Sequence, residues 1–393
     1  MNLKEIYNRD KSFLVFPESK YLDSLRSNLI SNYDLDPKKL KLNESTKHYD
    51  SKILNNFDYI NNIKDSFNPS INLKNNSIYS VHEKKDLFLE KFKEFQNIID
   101  DDYIVNLNTI LQNSGIILEI EKNLSSKIYI NNILNKKNSV FSKNFINIGE
   151  NCNIIFIEKF NNEILSNMNF INYFDIKKNS KVLHLVFQDN SEQANLQYTN
   201  FVNCGEGSEY KQILFNSSNS SIRNHNYANL LGTNSRADLQ GIFLANGDQI
   251  IDNKTVVNHF AVSCSSDQKY KGILTDNAKA SYLSKTFVDK NAQKTEAYQL
   301  SKGILLSDTS YFHSKPELKI YADDVKCSHG STIGPFDQNI LFYCRSRGMP
   351  KNIAISLLIN SFFSDILDTT NDDEYKPLVH KSINNWLNKN SYK

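Results

Sequence analysis

Six small polar triplets punctuate the middle of the sequence at nearly regular steps: Asn151-Cys152-Asn153, Asn179-Ser180-Lys181, Gly207-Ser208-Glu209, Asn234-Ser235-Arg236, Asn277-Ala278-Lys279 and Asn291-Ala292-Gln293. Their starts lie 28, 28, 27, 43 and 14 residues apart, each close to a multiple of 14. Between them run short apolar alternations and no helix-length segment: IILEI, KIYI, NIIFIEKF, KVLHLVF, QILF and GIFLA. Alternation with a period of two marks a strand. A fixed interval between like turns marks a stacked repeat, in which each coil covers the previous one. Asn, Gly and Ser suit the corners because they tolerate left-handed backbone angles. The spacing therefore predicts a β-solenoid from Ile116 to about Ile333. The alternative is an antiparallel sandwich, whose strands also recur every roughly 8–12 residues. Spacing alone leaves open whether a coil is 14 or 28 residues long.

A bare solenoid exposes its end coils and needs caps, for which the helical flanks are candidates. Residues 1 to about 33 space Leu22, Leu25, Leu29 and Ile30 as a helix does, and Leu87, Phe88, Phe92 and Phe95 do the same within 83–112. The intervening segment 34–80, rich in Asn, Ser, Lys and Asp, reads as short pieces and loop. Near the other end, Ala354, Leu358, Phe362 and Ile366 follow an i, i+4 step, widened by Ile355, Leu357 and Phe363. A helix apolar over so much of its circumference must bury more than one side. One side is expected to pack on the last coil and on the final helix, Leu378 to Leu387. Leu358, Phe362, Phe363 and Ile366 are candidates to dock another protein. The chain thus divides into an N-terminal helical region (1–114), a β core (115–335) and a C-terminal helical domain (336–393).

Lys and Arg total 46 against 44 Asp and Glu, so no basic excess argues for nucleic-acid binding. No apolar run reaches the roughly 18 residues needed to cross a bilayer, and MNLKEIYNRDKSF lacks the apolar core of a signal peptide. Five cysteines, an odd number at irregular spacing, do not form a disulfide framework. These features point to a reducing, cytoplasm-like compartment, an organelle stroma fitting equally.

The sequence contains no G-x-x-x-x-G-K-[ST], no G-x-G-x-x-G after a strand, no H-E-x-x-H and no C-x-x-C. Cys152, Cys204, Cys264, Cys327 and Cys344 are scattered, whereas a resident iron–sulfur cluster is usually held by four thiolates, some closely spaced. No permanently bound cofactor is expected. Cys327 and His329, two apart on a predicted strand, point the same way, and a thiolate with an imidazole suits iron or zinc. A lone C-x-H pair is more often structural: Val325 and Cys327 then face the core, Lys326 and Ser328 face solvent, and the cysteine acts as a small hydrophobe. His329 lies beside Gly330 near the end of the strand array, where exposure or a subunit contact is expected. His259 and Cys264 are spaced wrongly for one strand face and read as packing, as do His184 in LHLVF and Cys344 on an apolar helix face. Asp323, Asp324 and Glu296 admit a rival reading as the acids of a β-helix carbohydrate-active enzyme, a lyase or hydrolase. The single Trp lies in the last helix, however, and no export signal is visible.

The stretch His313–Met349 holds a sharp change of period. Strand alternation runs to about Thr332, Gly334-Pro335 interrupts it, and Asp337 can cap a helix reading Ile340, Leu341, Cys344 that ends at Gly348. Pro350 suits the first turn of the next helix. PELKIYADDVKCSHGSTIG followed by LFYCRSRGMP resembles the C-terminal signature of the SufB/SufD family of iron–sulfur cluster assembly scaffold proteins, and the CSHG form resembles its SufD branch. Weaker likeness extends through NLNTILQNSGIILEI (106–120), DNKTVVNHFAVSCSSDQKYKGIL (252–274) and KNAQKTEAYQLSKGILLSD (290–308). The resemblance implies a mainly β fold with a right-handed parallel β-helix core and no catalysis of its own. It implies a SufB-like partner at the β-helix end and a SufC-like ATPase on the C-terminal helices, with a homodimer possible in the absence of SufB. It also implies that His329, matching the histidine of CSHG, is a ligand or gate for iron or a transient cluster shared with the SufB-like partner. Cys327 is the weaker candidate. A SufB-like scaffold acting alone is the second reading within the family, but that branch carries additional core cysteines not evident in this sequence.

Overall fold

The computed structural model describes residues 3–32, 70–72, 77–96, 102–132, 139–160, 167–189, 195–217, 221–370 and 372–390. Two short strands, β1 (Ser70–Asn72) and β2 (Ser77–Ser80), precede the core. The first half of the core comprises β3 (Ile116–Ile120), β4 (Ser125–Asn132), β5 (Ser139–Ile148), β6 (Asn153–Phe160), β7 (Asn167–Ile176), β8 (Lys181–Gln188), β9 (Asn195–Cys204) and β10 (Glu209–Asn216). The second half comprises β11 (Ser221–Leu230), β12 (Arg236–Ala245), β13 (Ile250–His259), β14 (Ser265–Leu274), β15 (Lys279–Val288), β16 (Thr295–Leu305), β17 (Tyr311–Ile320) and β18 (Val325–Pro335).

These strands form two sheets of nine: β1 with the even strands β4 to β18 in order, and β2 with the odd strands β3 to β17 in order. The chain alternates between sheets, so each coil gives one strand to each, and every pairing from β3 onward is parallel. The fold is a parallel β-helix, and the sandwich alternative is overturned by that parallel register. Asn153, Lys181, Glu209, Arg236, Ser265, Glu296 and Lys326 stack in one column, at steps of 28, 28, 27, 29, 31 and 30 residues. A coil is therefore the longer of the two lengths that the spacing left open.

The corner chemistry explains the triplets. Asn123, Asn151, Asn179, Gly207, Asn234, Ser263 and Lys294 all have positive φ and form one column where the chain passes from the odd to the even sheet. Each backbone N–H donates across to the next coil, as Asn151 does to the Lys178 carbonyl (3.0 Å) and Asn179 to that of Glu206 (2.9 Å). From Asn151 onward the residue after each is a Ser, Cys or Thr that turns inward. Ser180, Ser208 and Ser235 donate their hydroxyls to the carbonyls of Gly149, Gly205 and Gly232 at 2.6, 2.8 and 2.7 Å. Cys152 and Cys264 occupy equivalent corner positions, with Sγ 3.1 Å from the Glu121 carbonyl and 3.3 Å from that of Gly232. The Asn277 triplet belongs to the opposite corner, following Asp276 (φ 55°) and one coil above Gly247 (φ 60°). That change of corner produces the irregular 43- and 14-residue intervals.

The two ends differ. At the N-terminal end, β1 pairs antiparallel with β4 and β2 with β3, so short strands rather than helices cover the first coil. At the C-terminal end, β17 and β18 each have one neighbour, and their outer edges carry no paired strand among the described residues. Pro316 sits within β17, as expected only of an edge strand. The polar segment 34–80 lies largely outside the described residues, its described parts being β1, β2 and Ser80 at the end of β2.

The helices cover the outer faces of the sheets. α1 (Leu3–Asp10), α2 (Lys20–Asn32), α3 (Lys85–Gln96) and α4 (Tyr103–Leu111) lie on the odd sheet. There Phe88, Phe92 and Phe95 pack with Phe145, Tyr173 and Phe201. α5 (Gln338–Ser346), α6 (Lys351–Leu367) and α7 (Tyr375–Lys389) follow the core. Ile359, Phe363 and Ile366 of α6 and Val379 and Ile383 of α7 are buried with Leu185, Ile213, Ile242 and Ile273 of the even sheet. The expected packing of α6 on the last coil is thus corrected: its apolar side meets the broad face of the middle coils. The Lys271 Nζ clamps this contact, donating to the Phe362 carbonyl and the Asp365 carboxylate at 2.6 and 2.7 Å.

Candidate cluster site at the open end of the solenoid

Register stacks Phe156, His184, Gln212, Leu239, Gln268, Gln299 and His329 into one column on the even sheet. All but the last are buried. Their side chains face the lumen, because strand side chains alternate and the neighbours at odd steps face the helices or solvent. His329 holds the same inward position on β18 and is exposed, since no further coil stacks on it. Among the described residues, no hydrogen bond or ion pair engages its ring.

The floor beneath His329 is fixed. Gln299 donates through Nε2 to the Thr286 hydroxyl (2.8 Å) and the Glu317 carbonyl (3.2 Å), while Ser284 donates to its Oε1 (3.1 Å). The facing wall comes from alternate residues of β17, Ser314, Pro316, Leu318 and Ile320, which continue the inward columns of Tyr282, Ser284, Thr286 and Val288. The hydroxyls of Ser301 and Ser314 are buried near this mouth without a hydrogen-bond partner among the described residues.

Cys327 lies two residues before His329 on the same face and is half-buried against Val288, Ala292 and Ala322. Burial raises its thiol pKa above the ordinary value, which keeps it protonated and a poor ligand. No group of three or more His, Cys, Asp or Glu converges as a metal cage among the described residues. What the mouth offers from this chain is one accessible imidazole on a rigid strand.

Cys204, His259 and Cys344 serve packing. Cys204 is fully buried, and its thiol is pushed up to about 12. His259 is buried with Nε2 2.9 Å from the Ser266 hydroxyl, and burial lowers it to about 4. Cys344 is half-buried against the α6–α7 core. The acids of the rival reading do not face one another across a cleft: Glu296 pairs with Lys326 at 2.9 Å on the exposed outer face, and Asp323 and Asp324 are exposed in the corner before β18.

A buried polar lumen went unread in the sequence. The Glu158 carboxylate accepts from Asn132 (2.8 Å) and Tyr198 (2.5 Å) and meets His184 Nε2 at 3.1 Å. Asn144, Asn172, Asn200 and Asn226 form a ladder, each amide donating to the next at 2.7, 3.0 and 2.7 Å. The signal was present: asparagines one coil apart inside strands that are otherwise apolar.

On the C-terminal helices, Phe363 and Ile366 are buried and Leu358 and Phe362 half-buried, all facing the solenoid or α7. The apolar surface left open comprises Ile340, Phe342 and Tyr343 of α5 and Ile353 and Leu357 of α6, between 47% and 73% exposed. Arg345 and Arg347 stand beside it with no carboxylate partner among the described residues. A groove of about 1170 Å³ adjoins it, lined by Ile353, Leu357, Asn360, His380 and Asn384.

The domain model described as SUF system FeS cluster assembly, SufBD core domain, matches residues 130–362. The iron–sulfur cluster assembly protein SufD of Escherichia coli (strain K12) is 31% identical over 158 residues, 40% of this chain and 37% of the relative. An iron–sulfur cluster assembly SufBD family protein of Synechocystis is 38% identical over 122 residues, 31% of this chain and 27% of the relative. The chloroplastic protein ABCI7 of Arabidopsis thaliana is 28% identical over 183 residues, 46% of this chain and 38% of the relative. The aligned parts thus span well under half the length of each of these relatives.

Proposed function

The chain belongs to the SufB/SufD family of iron–sulfur cluster assembly proteins, and from that premise we propose that it is a SufD-type scaffold subunit without catalysis of its own. The observation that carries the reading is His329, an accessible imidazole closing an otherwise buried column at the C-terminal end of the β-helix. A SufB-like subunit pairs with the free edges of β17 and β18. There it supplies the thiolate ligands that this chain lacks, and iron or the nascent cluster is the cargo held at the seam.

A SufC-like ATPase docks on the outward surface of α5 and α6. Of the candidate docking residues, Phe363 and Ile366 support that surface from within, Leu358 and Phe362 are half-buried beneath it, and Ile340, Phe342, Tyr343, Ile353 and Leu357 supply the exposed area. The five cysteines are all free, which suits a reducing compartment.

The test is the His329→Ala variant, co-expressed with its SufB-like and SufC-like partners. Loss of iron and cluster from a complex that still assembles supports the reading. Unchanged cluster content removes His329 from it.

A further inference from the structure

The turn between β12 and β13 is built from Asn246-Gly247-Asp248-Gln249 and contains the sequence's Asn-Gly pair. The Gln249 N–H closes it on the Asn246 carbonyl at 3.3 Å. Gly247 adopts φ 60°, and nothing lies within 4 Å of where a Cβ would stand. Its N–H points at the Asp276 carboxylate, 2.9 Å away in the turn one coil above. The Asn246 side chain has a structural task, since its Nδ2 donates to Asn390 Oδ1 (2.9 Å) at the end of α7. Asn390 in turn donates through Nδ2 to the Trp386 carbonyl at 2.8 Å.

We propose that Asn246 is a site of spontaneous deamidation, and that Asp276 promotes it by taking the Gly247 amide proton. The Gly247 nitrogen attacks the Asn246 Cγ and closes a five-membered imide. The Cγ–Nδ2 bond breaks, and the amide nitrogen leaves as ammonia with the proton returned to it. Water then opens the ring at either carbonyl, leaving aspartate or isoaspartate. An unhindered glycine on the C-terminal side makes the attack sterically open, and the side-chain amide is the only leaving group required.

The product undoes the contact that the amide made. A carboxylate at position 246 cannot donate to Asn390, and it lies in a corner that already carries Asp248 and Asp276. The isoaspartate form also inserts a backbone methylene into a four-residue turn whose strands are held in register on both sides. The end of α7 is thereby released from the solenoid. The corner asparagines Asn179 and Asn234 are the internal comparison: each is followed by a serine whose hydroxyl is bonded to a backbone carbonyl, Gly149 or Gly232.

The experiment is timed incubation of the intact chain at neutral and mildly alkaline pH, followed by peptide mass mapping and isoaspartate-specific methylation. Conversion at Asn246 should exceed that at Asn179 and Asn234 by about tenfold or more. It should vanish in Asn246→Gln and slow several-fold in Asp276→Asn, which keeps a side chain suited to the positive φ there. Amide exchange near Asn390 should quicken in the aged protein and stay constant in aged Asn246→Gln. Equal conversion at the three asparagines overturns the site, and an unchanged rate in Asp276→Asn overturns the role given to the carboxylate.

Discussion

His329 stands one rung beyond Gln299 on the same inward-facing column, and the boundary between buried lumen and exposed mouth falls between them. Gln299 is held by three hydrogen bonds, while the ring above it is held by none among the described residues. Removing the imidazole should therefore leave the fold intact. His329→Ala is expected to change stability by less than about 0.5 kcal/mol, measured by denaturant unfolding, while iron retention by the assembled complex falls. A large loss of stability would mean that the ring is a packing residue.

The half-buried thiol should behave differently from the imidazole. Cys327→Ala keeps a small apolar group against Val288, Ala292 and Ala322 and should preserve iron retention. Loss of iron in this variant would show that the thiol is a ligand despite its raised pKa.

Buried histidine sets an acid limit on stability. His259 titrates near 4 in the fold because burial opposes its charge, whereas a histidine in the unfolded chain titrates near about 6.5. Between those values the unfolded chain binds a proton that the native state refuses, so stability is lost as pH falls from about 6.5 towards 4. The loss attributable to His259 is about 3 kcal/mol. His259→Gln should flatten the slope of unfolding free energy against pH in that window. A slope identical to that of the parent chain would contradict the assignment.

Lys143 poses the converse case. Its Nζ is buried, donates to the Thr109 hydroxyl at 2.8 Å and lies 4.5 Å above the Phe92 ring, with no carboxylate pairing with it among the described residues. Burial lowers its pKa well below the ordinary lysine value, so the unfolded chain again binds the extra proton. Stability should rise with pH from the depressed value up to about 10.4. Lys143→Met should be more stable than the parent at neutral pH by about 1–3 kcal/mol, the advantage shrinking as pH approaches 10.4. A variant that is less stable at neutral pH would show that the hydrogen bond to Thr109 outweighs desolvation.

The C-terminal helices separate core from contact surface. Phe363→Ala should cost about 3–5 kcal/mol, because that ring is fully buried against the even sheet. Ile353→Asp with Leu357→Asp should leave stability within about 0.5 kcal/mol and, on the proposed docking, abolish co-purification of a co-expressed SufC-like ATPase. Retained co-purification would move the docking surface elsewhere.

The repeat was readable because the corners repeat their chemistry. Asn151, Asn179 and Asn234 announce left-handed turns, and the serine or cysteine after each reports an inward hydroxyl or thiol. Coil length was not readable, because a two-strand coil has two corners, and the Asn277 turn at the second corner mimics a half-step. The i, i+4 pattern of α6 reported an apolar face correctly but not what it faces. Phe363 and Ile366 meet a sheet whose outer face becomes apolar when residues such as Leu185, Ile213, Ile242 and Ile273 from different coils are brought together. The mouth was legible at His329 from its place near the end of the strand array. The polar lumen was missed because Glu158 and the Asn144–Asn226 ladder look like surface residues until the coils are stacked.

The two ends of the core also differ in what an incoming strand would find there. Among the described residues, β1 and β2 lie antiparallel on the first coil and offer edges of three and four residues. At the other end β17 and β18 offer parallel edges of ten and eleven residues. Short edge strands discourage unwanted pairing, so the asymmetry biases any edge-to-edge union toward the long pair.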